Sequence, residues 1–313
     1  MLPHPDADDV RLWLARDFGV EAAPLTVAEG GADAAALTWR ATSLDPAVPD
    51  LAVKWSRRDI RPGLELAATL AHSGLRVPRP LAATDGRRWS ERGGGLLAAV
   101  PWVHGEEAVV APFGAGGWQG LGRLLRLVHD TPFDGWAATG RRSIRRSDED
   151  LASAVATLDA GVAARCLTLL ERTAPALARE SGAPHVTCHG DPHLGNVLLS
   201  PEGEVWLVDW DECVQAPREA DLVLVLLGVL PTWPIGEADK AAFLEGYGRD
   251  IEFDDELLLA FGAIRAVEDV LGTARIIADE ERTVGERAAA EQTLAGILSP
   301  DGLVGLVEAR LGL

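Results

Sequence analysis

The side chains best suited to chemistry lie in His189-Gly190-Asp191-Pro192-His193-Leu194-Gly195-Asn196 and, further on, in Asp209-Trp210-Asp211. A run of the form H-x-D-x-x-x-x-N with a second acid beyond it suits phosphoryl transfer, a reaction that asks little covalent work of a protein. It needs a carboxylate that orients and deprotonates an acceptor hydroxyl, and oxygen ligands that hold magnesium against nucleotide phosphates. Asp191 fits the base. Asn196, the single asparagine of the chain, and Asp209 fit the metal ligands. His189 is then expected to brace the loop and His193 to fill it. A nucleophilic pair of Cys188 with His189 would leave Asp191 and Asn196 without a task, so that chemistry is set aside.

These residues need elements to hold them. Apolar runs at 196–199 and 205–208, joined by Ser200-Pro201-Glu202-Gly203-Glu204, read as a hairpin between Asn196 and Asp209. Upstream, residues 6–18 read as a helix with Asp6 as its cap, Val10, Trp13, Leu14 and Phe18 on one face and Gly19 as its stop. Strands are expected at 25–28, 36–42 and 51–55, then a helix over 61–72 with Pro62 in its first turn. Two more strand-like runs, near 80–83 and 96–100, flank the Asp85-Gly86 turn. After His104-Gly105 the pattern becomes helical, over 118–129, 148–180 and several segments of 217–313. The expected class is α+β in two lobes: residues 1–103 with an antiparallel sheet and one main helix, and residues 104–313, larger and mostly helical.

Composition removes several function classes. The 313 residues carry 29 Lys+Arg against 48 Asp+Glu, a net charge of −19, which repels a phosphate backbone and argues against nucleic acid as a partner. Three cysteines in no CxxC pair fit a reducing cytoplasm better than a zinc knuckle or a disulfide framework. Asp6, Asp8 and Asp9 stand where a signal peptide would need positive charge, and no apolar run approaches the ~20 residues of a membrane span. Nothing in the sequence speaks to oligomeric state. Among the basic residues only Lys54 and Lys240 are lysines, and Lys54 falls within the strand expected at 51–55.

His189-Gly190-Asp191, Asn196 and Asp209-Trp210-Asp211 resemble the catalytic signature of the aminoglycoside phosphotransferase family, small-molecule kinases with a protein-kinase-like fold. Residues 28–105 and 185–225 both read like that family, and Ala216-Pro217-Arg218-Glu219-Ala220-Asp221-Leu222 looks like its spectinomycin phosphotransferase branch. The resemblance implies a two-lobe kinase fold, ATP or GTP as phosphate donor and Mg2+ as cofactor. It implies that Lys54 grips the donor phosphates, with Glu65 on the 61–72 helix as its partner. Gly30 and Gly31 would cover the phosphates with backbone N–H groups, or form a plain hairpin turn. Pro101 and Val103, at the junction of the lobes, would offer backbone groups to the base of the nucleotide. Asp221 would hold the catalytic loop from below or cap its helix.

The stretch from Asp209 to Asp221 is too short for the activation segment on which protein kinases seat a peptide, so a small-molecule acceptor is expected. The acidic balance, with Asp211, Glu268 and Asp269 as candidate contacts, suits a cationic, amine-bearing acceptor. The plainer reading of Glu268-Asp269 and Asp254-Asp255-Glu256 is a solvated helix face or start. By resemblance the acceptor is an aminoglycoside or aminocyclitol antibiotic; kinases of choline, homoserine, fructosamines and other antibiotics share the fold. A non-catalytic nucleotide-binding regulator is the alternative from another class, and the joint presence of Lys54, Asp191, Asn196 and Asp209 weighs against it. The basic run Arg141-Arg142-Ser143-Ile144-Arg145-Arg146 reads as a solvated loop, and His129 as a packed side chain.

Overall fold

The computed structural model describes residues 4–28, 35–110, 113–135, 154–230 and 233–313. The α+β class is as expected, but the division of the chain is not a single cut near residue 103. One compact unit comprises residues 1–113, 131–141 and 194–213; the other comprises 114–130, 142–193 and 214–313. Segment 194–213 joins the first unit through main-chain bonds and close packing. Strand β8 (Val197–Leu199) pairs with β6 (Glu106–Glu107), and the Leu207 N–H donates to the Arg76 carbonyl at 3.2 Å.

The first unit is built on a five-stranded antiparallel sheet: β1 (Thr26–Val27), β2 (Ala36–Ala41), β3 (Leu51–Ser56), β5 (Gly95–Pro101) and β4 (Ser90–Arg92), in that spatial order. Strand β3 is central, and its period-two pattern decides its faces. Leu51, Val53 and Trp55 are buried in a core with Trp39, Leu97 and Ala99. Helix α1 (Ala7–Phe18) covers that core with Val10, Leu14 and Phe18, capped by the Asp6 side chain, which accepts from the Asp9 N–H at 2.7 Å. Lys54, between Val53 and Trp55, therefore stands on the other face of the sheet, in register with Thr38 and Ala98.

Helix α2 (Arg61–His72) begins with Pro62, as expected, and buries Leu66, Ala67 and Leu70. Its Gly63 lies so close to the chain at Trp210 that a Cβ there would meet the Trp210 carbonyl oxygen at 2.3 Å. The strand expected near 80–83 is irregular chain. Pro78 and Pro80 lack the N–H groups a ladder needs, and only Leu81 bonds the sheet, through Ala99. The pairing place beside β5 is taken instead by β4.

The second unit is helical: α3 (Gly114–His129), α4 (Ala160–Ala178), α5 (Glu219–Leu227), α6 (Glu237–Tyr247), α7 (Asp255–Ala278), α8 (Val284–Leu298) and α9 (Leu303–Leu311). Two antiparallel ladders interrupt the helices, β7 (His185–Cys188) with β10 (Val214–Pro217) and the two-residue strands Val229–Leu230 with Trp233–Pro234. The long helix expected over 148–180 starts at Ala160, where the Asp159 carboxylate accepts from the Gly161 N–H at 2.9 Å; residues 148–153 lie outside the described residues. Helix α7 runs for 24 residues and buries Phe261, Ile264, Val267 and Val270. Arg265, Glu268 and Asp269 interrupt this buried run at i, i+3 and i+4, which puts all three on one side of the helix. Among the described residues no helix is long and apolar enough to cross a membrane.

Candidate active site

The candidate side chains form two clusters, one in each unit. In the first unit β8 and β9 (Val205–Leu207) make the expected hairpin, closed by the Val208 N–H donating to the Asn196 carbonyl at 2.9 Å. Asn196 and Asp209 are thereby set at the two exits of one hairpin. Asp209 has φ +60°, the only non-glycine among the described residues in the left-handed region. Such a backbone costs free energy and persists where its surroundings impose it. Here the next residue is anchored on both sides: the buried Trp210 indole N–H donates to the Leu207 carbonyl at 3.2 Å, and Gly63 packs against the Trp210 backbone.

Lys54 lies between the two acids of Asp209-Trp210-Asp211. Its Nζ is 2.8 Å from Asp209 Oδ1 and 2.7 Å from Asp211 Oδ2. Burial works against the ammonium, but the charges of Asp211 and Asp209 outweigh it and raise the pKa of Lys54, so the side chain stays charged. Asp211 is pushed up to about 6: burial raises it and Asp209 adds to that, while Lys54 pulls it down only in part. Glu65 pairs elsewhere. Its carboxylate stands 3.5 Å from Arg88 Nε, so the expected Lys54–Glu65 pair is replaced by Lys54 with two aspartates. The cause is position: the acids that follow β9 already fill the surroundings of the ammonium, and Arg88 offers Glu65 a nearer cation.

Pro101 ends β5, opposite Leu51, and the Trp102 N–H donates to the Asp50 carbonyl at 2.7 Å. Pro101, Trp102 and Val103 line a cavity of about 550 Å³ whose other walls include Arg76, Arg79 and Trp206. Gly30 and Gly31 lie outside the described residues, as does the basic run at 141–146.

The second cluster surrounds Asp191. Strand β7 delivers the chain into His189-Gly190-Asp191, and Gly190 turns it at φ +89°, a conformation that strains any side chain. Beneath the turn is Asp221 of α5, 1 % exposed, whose Oδ2 accepts from the His189 N–H and whose Oδ1 accepts from the Gly190 N–H, both at 2.7 Å. Holding the loop from below is the role expected of it. His129 Nε2 lies 3.1 Å from the same Oδ2 and donates to it, since a carboxylate only accepts; Nδ1 takes the Tyr247 hydroxyl at 2.6 Å. His189 is buried and braces the loop in turn, its Nδ1 accepting from the Asp191 N–H at 3.2 Å.

The Asp191 carboxylate is met by a residue that sequence reading had not singled out. Arg265 of α7 places Nη1 2.5 Å from Asp191 Oδ1 and Nε 2.9 Å from Asp269 Oδ1. His193 Nε2 stands 3.6 Å from Asp191 Oδ2. Burial pushes the Asp191 carboxyl up, yet Arg265, with His193 and His189, outweighs it and holds the group below the usual carboxylate range. Asp269 ends on the other side of the balance, raised by burial beyond what Arg265 offsets. As a candidate contact for a cationic acceptor, Asp269 is thus already engaged by a cation of its own helix; Glu268 sits beside it, half-buried. The signal for Arg265 was present as an Arg/Asp pair at i, i+4, but 27 of the 29 basic residues are arginines and such pairs are ordinary on helices.

Comparison with known proteins places this geometry. A crystal structure of a spectinomycin phosphotransferase in complex with ADP and spectinomycin superposes with a TM-score of 0.79 at 22 % identity, covering 99 % of this chain and 100 % of that one. An aminoglycoside-3'-phosphotransferase of type VIII superposes with a TM-score of 0.57 at 27 % identity, over 82 % of this chain and 97 % of that one. In sequence, a streptomycin 3''-kinase of Streptomyces griseus is 41 % identical over 88 residues, which span 26 % of this chain and 32 % of the kinase. The phosphotransferase enzyme family has a model that matches residues 15–261, a span that takes in Lys54, the Asp191 loop, the Asp209 turn and the α5 aspartate beneath the loop. The chain belongs to that family.

Proposed function

We propose that this protein is a magnesium-dependent kinase that transfers the γ-phosphate of ATP, or of GTP, to a hydroxyl of a cationic small molecule, with an aminoglycoside or aminocyclitol antibiotic as the acceptor class. The supporting observation is the differing make-up of the two clusters. One gathers a lysine and two aspartates within 2.8 Å, a phosphate- and metal-handling group; the other holds an ionised aspartate on a braced loop, a proton acceptor.

Asn196 and Asp209 would hold Mg2+, since both present hard oxygen donors, as that ion requires, from the two exits of one hairpin. When bound, the metal would neutralise charge on the donor phosphates. Lys54 would bind phosphate oxygens as a point charge, Gly30 and Gly31 would cover them, and the main chain at Pro101 and Val103 would meet the nucleotide base. Asp191 would orient the acceptor hydroxyl. As the acceptor oxygen bonds to the γ-phosphorus and the bond to the departing diphosphate oxygen breaks, the hydroxyl proton passes to the Asp191 carboxylate.

The nucleotide and acceptor classes draw support from the neighbours: the spectinomycin phosphotransferase carries ADP and spectinomycin, and an amicoumacin kinase carries AMP-PNP and its antibiotic. A choline/ethanolamine kinase family protein from Mesorhizobium loti and an aminopropanol kinase share the fold, so amino alcohols belong in any acceptor panel. Cys166, Cys188 and Cys213 are buried free thiols, which supports a reducing, cytoplasmic location.

The test is nucleotide consumption with Mg2+ and ATP or GTP against spectinomycin, several aminoglycosides, choline, homoserine and fructosamines, with mass spectrometry of the product. One acceptor gaining a phosphate is the expected result. Tight binding of Mg-nucleotide with no phosphorylated product from any acceptor would count for the regulator reading.

A further inference from the structure

We infer that Arg265 is the positioning residue of the proposed base: it fixes the Asp191 carboxylate in place, and Asp269 buttresses Arg265 in turn. This rests on the kinase reading for the role of Asp191, but the Arg265–Asp191 contact stands on geometry alone.

The guanidinium uses two different nitrogens for two carboxylates, Nη1 for Asp191 Oδ1 at 2.5 Å and Nε for Asp269 Oδ1 at 2.9 Å. A planar fork held at two points has little rotational freedom left, which a lysine could not reproduce. Asp269 is one helical turn from Arg265 on α7, so helix geometry sets the pair, and the buried neighbours Ile264, Ala266 and Val270 hold the helix itself. The three side chains are 19–25 % exposed, so their pairing is screened less than a surface ion pair would be.

The charged and titratable groups that face Asp191 from α7 and from its own loop fit this role. From α7 come Arg265 and, behind it, Asp269; from its own loop come His193 and His189. Arg265 is the strongest of the forces that hold the carboxylate down against its burial. A phosphoryl transition state of largely dissociative character draws little on the proton affinity of its base until late, so a well-placed, permanently ionised carboxylate serves better than a more basic, mobile one. Because α7 also carries Glu268 and Asp269, two candidate acceptor contacts stand on the helix that aims the base.

The experiment compares wild-type enzyme with Arg265→Met, Arg265→Lys and Asp269→Asn, using whichever acceptor the panel identifies. Arg265→Met is expected to lower kcat by about 100-fold, within the range general-base contributions span, with acceptor KM changed by less than about 3-fold. Its acid limb of kcat moves up by about one pH unit or more, as the opposing charge is lost. Arg265→Lys recovers part of both, and Asp269→Asn, which leaves the cation but frees it, costs about 10-fold or less. Mg-nucleotide affinity, which depends on the other cluster, reports that each variant is folded. A wild-type kcat and acid limb in folded Arg265→Met, or an effect on KM alone, overturns the inference. A second readout is carbon-13 NMR titration of labelled aspartate, with Asp191 assigned through Asp191→Asn: its midpoint rises in Arg265→Met if the inference is right and stays put if it is wrong. If no acceptor is phosphorylated the kinase reading fails, and this titration still decides the contact.

Discussion

Each unit gathers one cation and two aspartates, and the two clusters differ in almost everything else. Lys54 offers a single ammonium to Asp209 and Asp211, which follow each other closely on one turn. Arg265 offers separate nitrogens to Asp191 and Asp269, which come from different elements. Two carboxylates sharing one point charge also repel each other, and the more buried of them, Asp211, rises to about 6. Given a nitrogen of its own, Asp191 falls below the usual range. A lysine's single point charge can exchange its acids for phosphate and metal, whereas a forked arginine on a packed helix is built to stay. The first cluster is suited to binding and the second to holding still.

The largest effect that would break this contrast is at Asp191. Asp191→Asn keeps the shape but cannot take a proton, and phosphoryl transfer should fall by about 10²–10⁴-fold with Mg-nucleotide affinity unchanged. If affinity fell instead, the two clusters would not be functionally separate. Lys54→Met should do the reverse in kind, weakening nucleotide binding by about 10- to 100-fold, the worth of a hydrogen bond to a charged group, when measured by calorimetry. Asp209→Ala should weaken binding only when Mg2+ is present, which distinguishes a metal ligand from a partner of Lys54.

Below these lies a change that touches no charge. The Asp209 turn depends on α2 approaching the Trp210 backbone, where only glycine fits, since a Cβ at Gly63 would stand 2.3 Å from the carbonyl oxygen. Gly63→Ala should destabilise the protein by about 1–3 kcal/mol in denaturant unfolding, the ordinary cost of overpacking. It should also disturb nucleotide binding more than an equally destabilising core change such as Val53→Ala, because the displaced segment carries Asp209.

The sequence spoke most clearly where a local rule and a long-range demand agree. Helix α1 has its Asp6 cap and Gly19 stop, α2 its early proline, and β3 its alternation of Leu51, Val53 and Trp55 around Lys54. It was silent where pairing partners are remote. The β7–β10 ladder joins residues near 186 and 216 through runs too short to show a period, and β4 took the place expected for the proline-rich 80–83 segment. The same holds in the two clusters. The placing of Asn196 and Asp209 at the two exits of one hairpin was legible because that hairpin is local. Glu65 was expected beside Lys54 by resemblance, yet Asp211, far along the chain, reaches the ammonium. Arg265 was missed because nothing along the chain links residue 265 to residue 191.

The smallest prediction sets the opposite pKa directions against each other. Asp191 binds protons less readily folded than unfolded, so its contribution to stability is present above the ordinary aspartate range and is lost as pH falls through its lowered pKa. The penalty of Asp191→Asn should therefore be full near pH 7 and shrink toward pH 3. Asp211 binds protons more readily folded, up to about 6, so folding loses stability as pH rises from the ordinary range through 6. Asp211→Asn mimics the protonated form, and its stability relative to wild type should grow from about pH 4 to pH 6 and then level off, by no more than about 3 kcal/mol for a shift of this size. Denaturant midpoints of the three proteins across pH 3–7 measure both slopes. Parallel slopes for the two variants would mean that a shared ammonium and a forked guanidinium hold their acids alike, and the contrast between the binding cluster and the holding cluster would collapse to one of position alone.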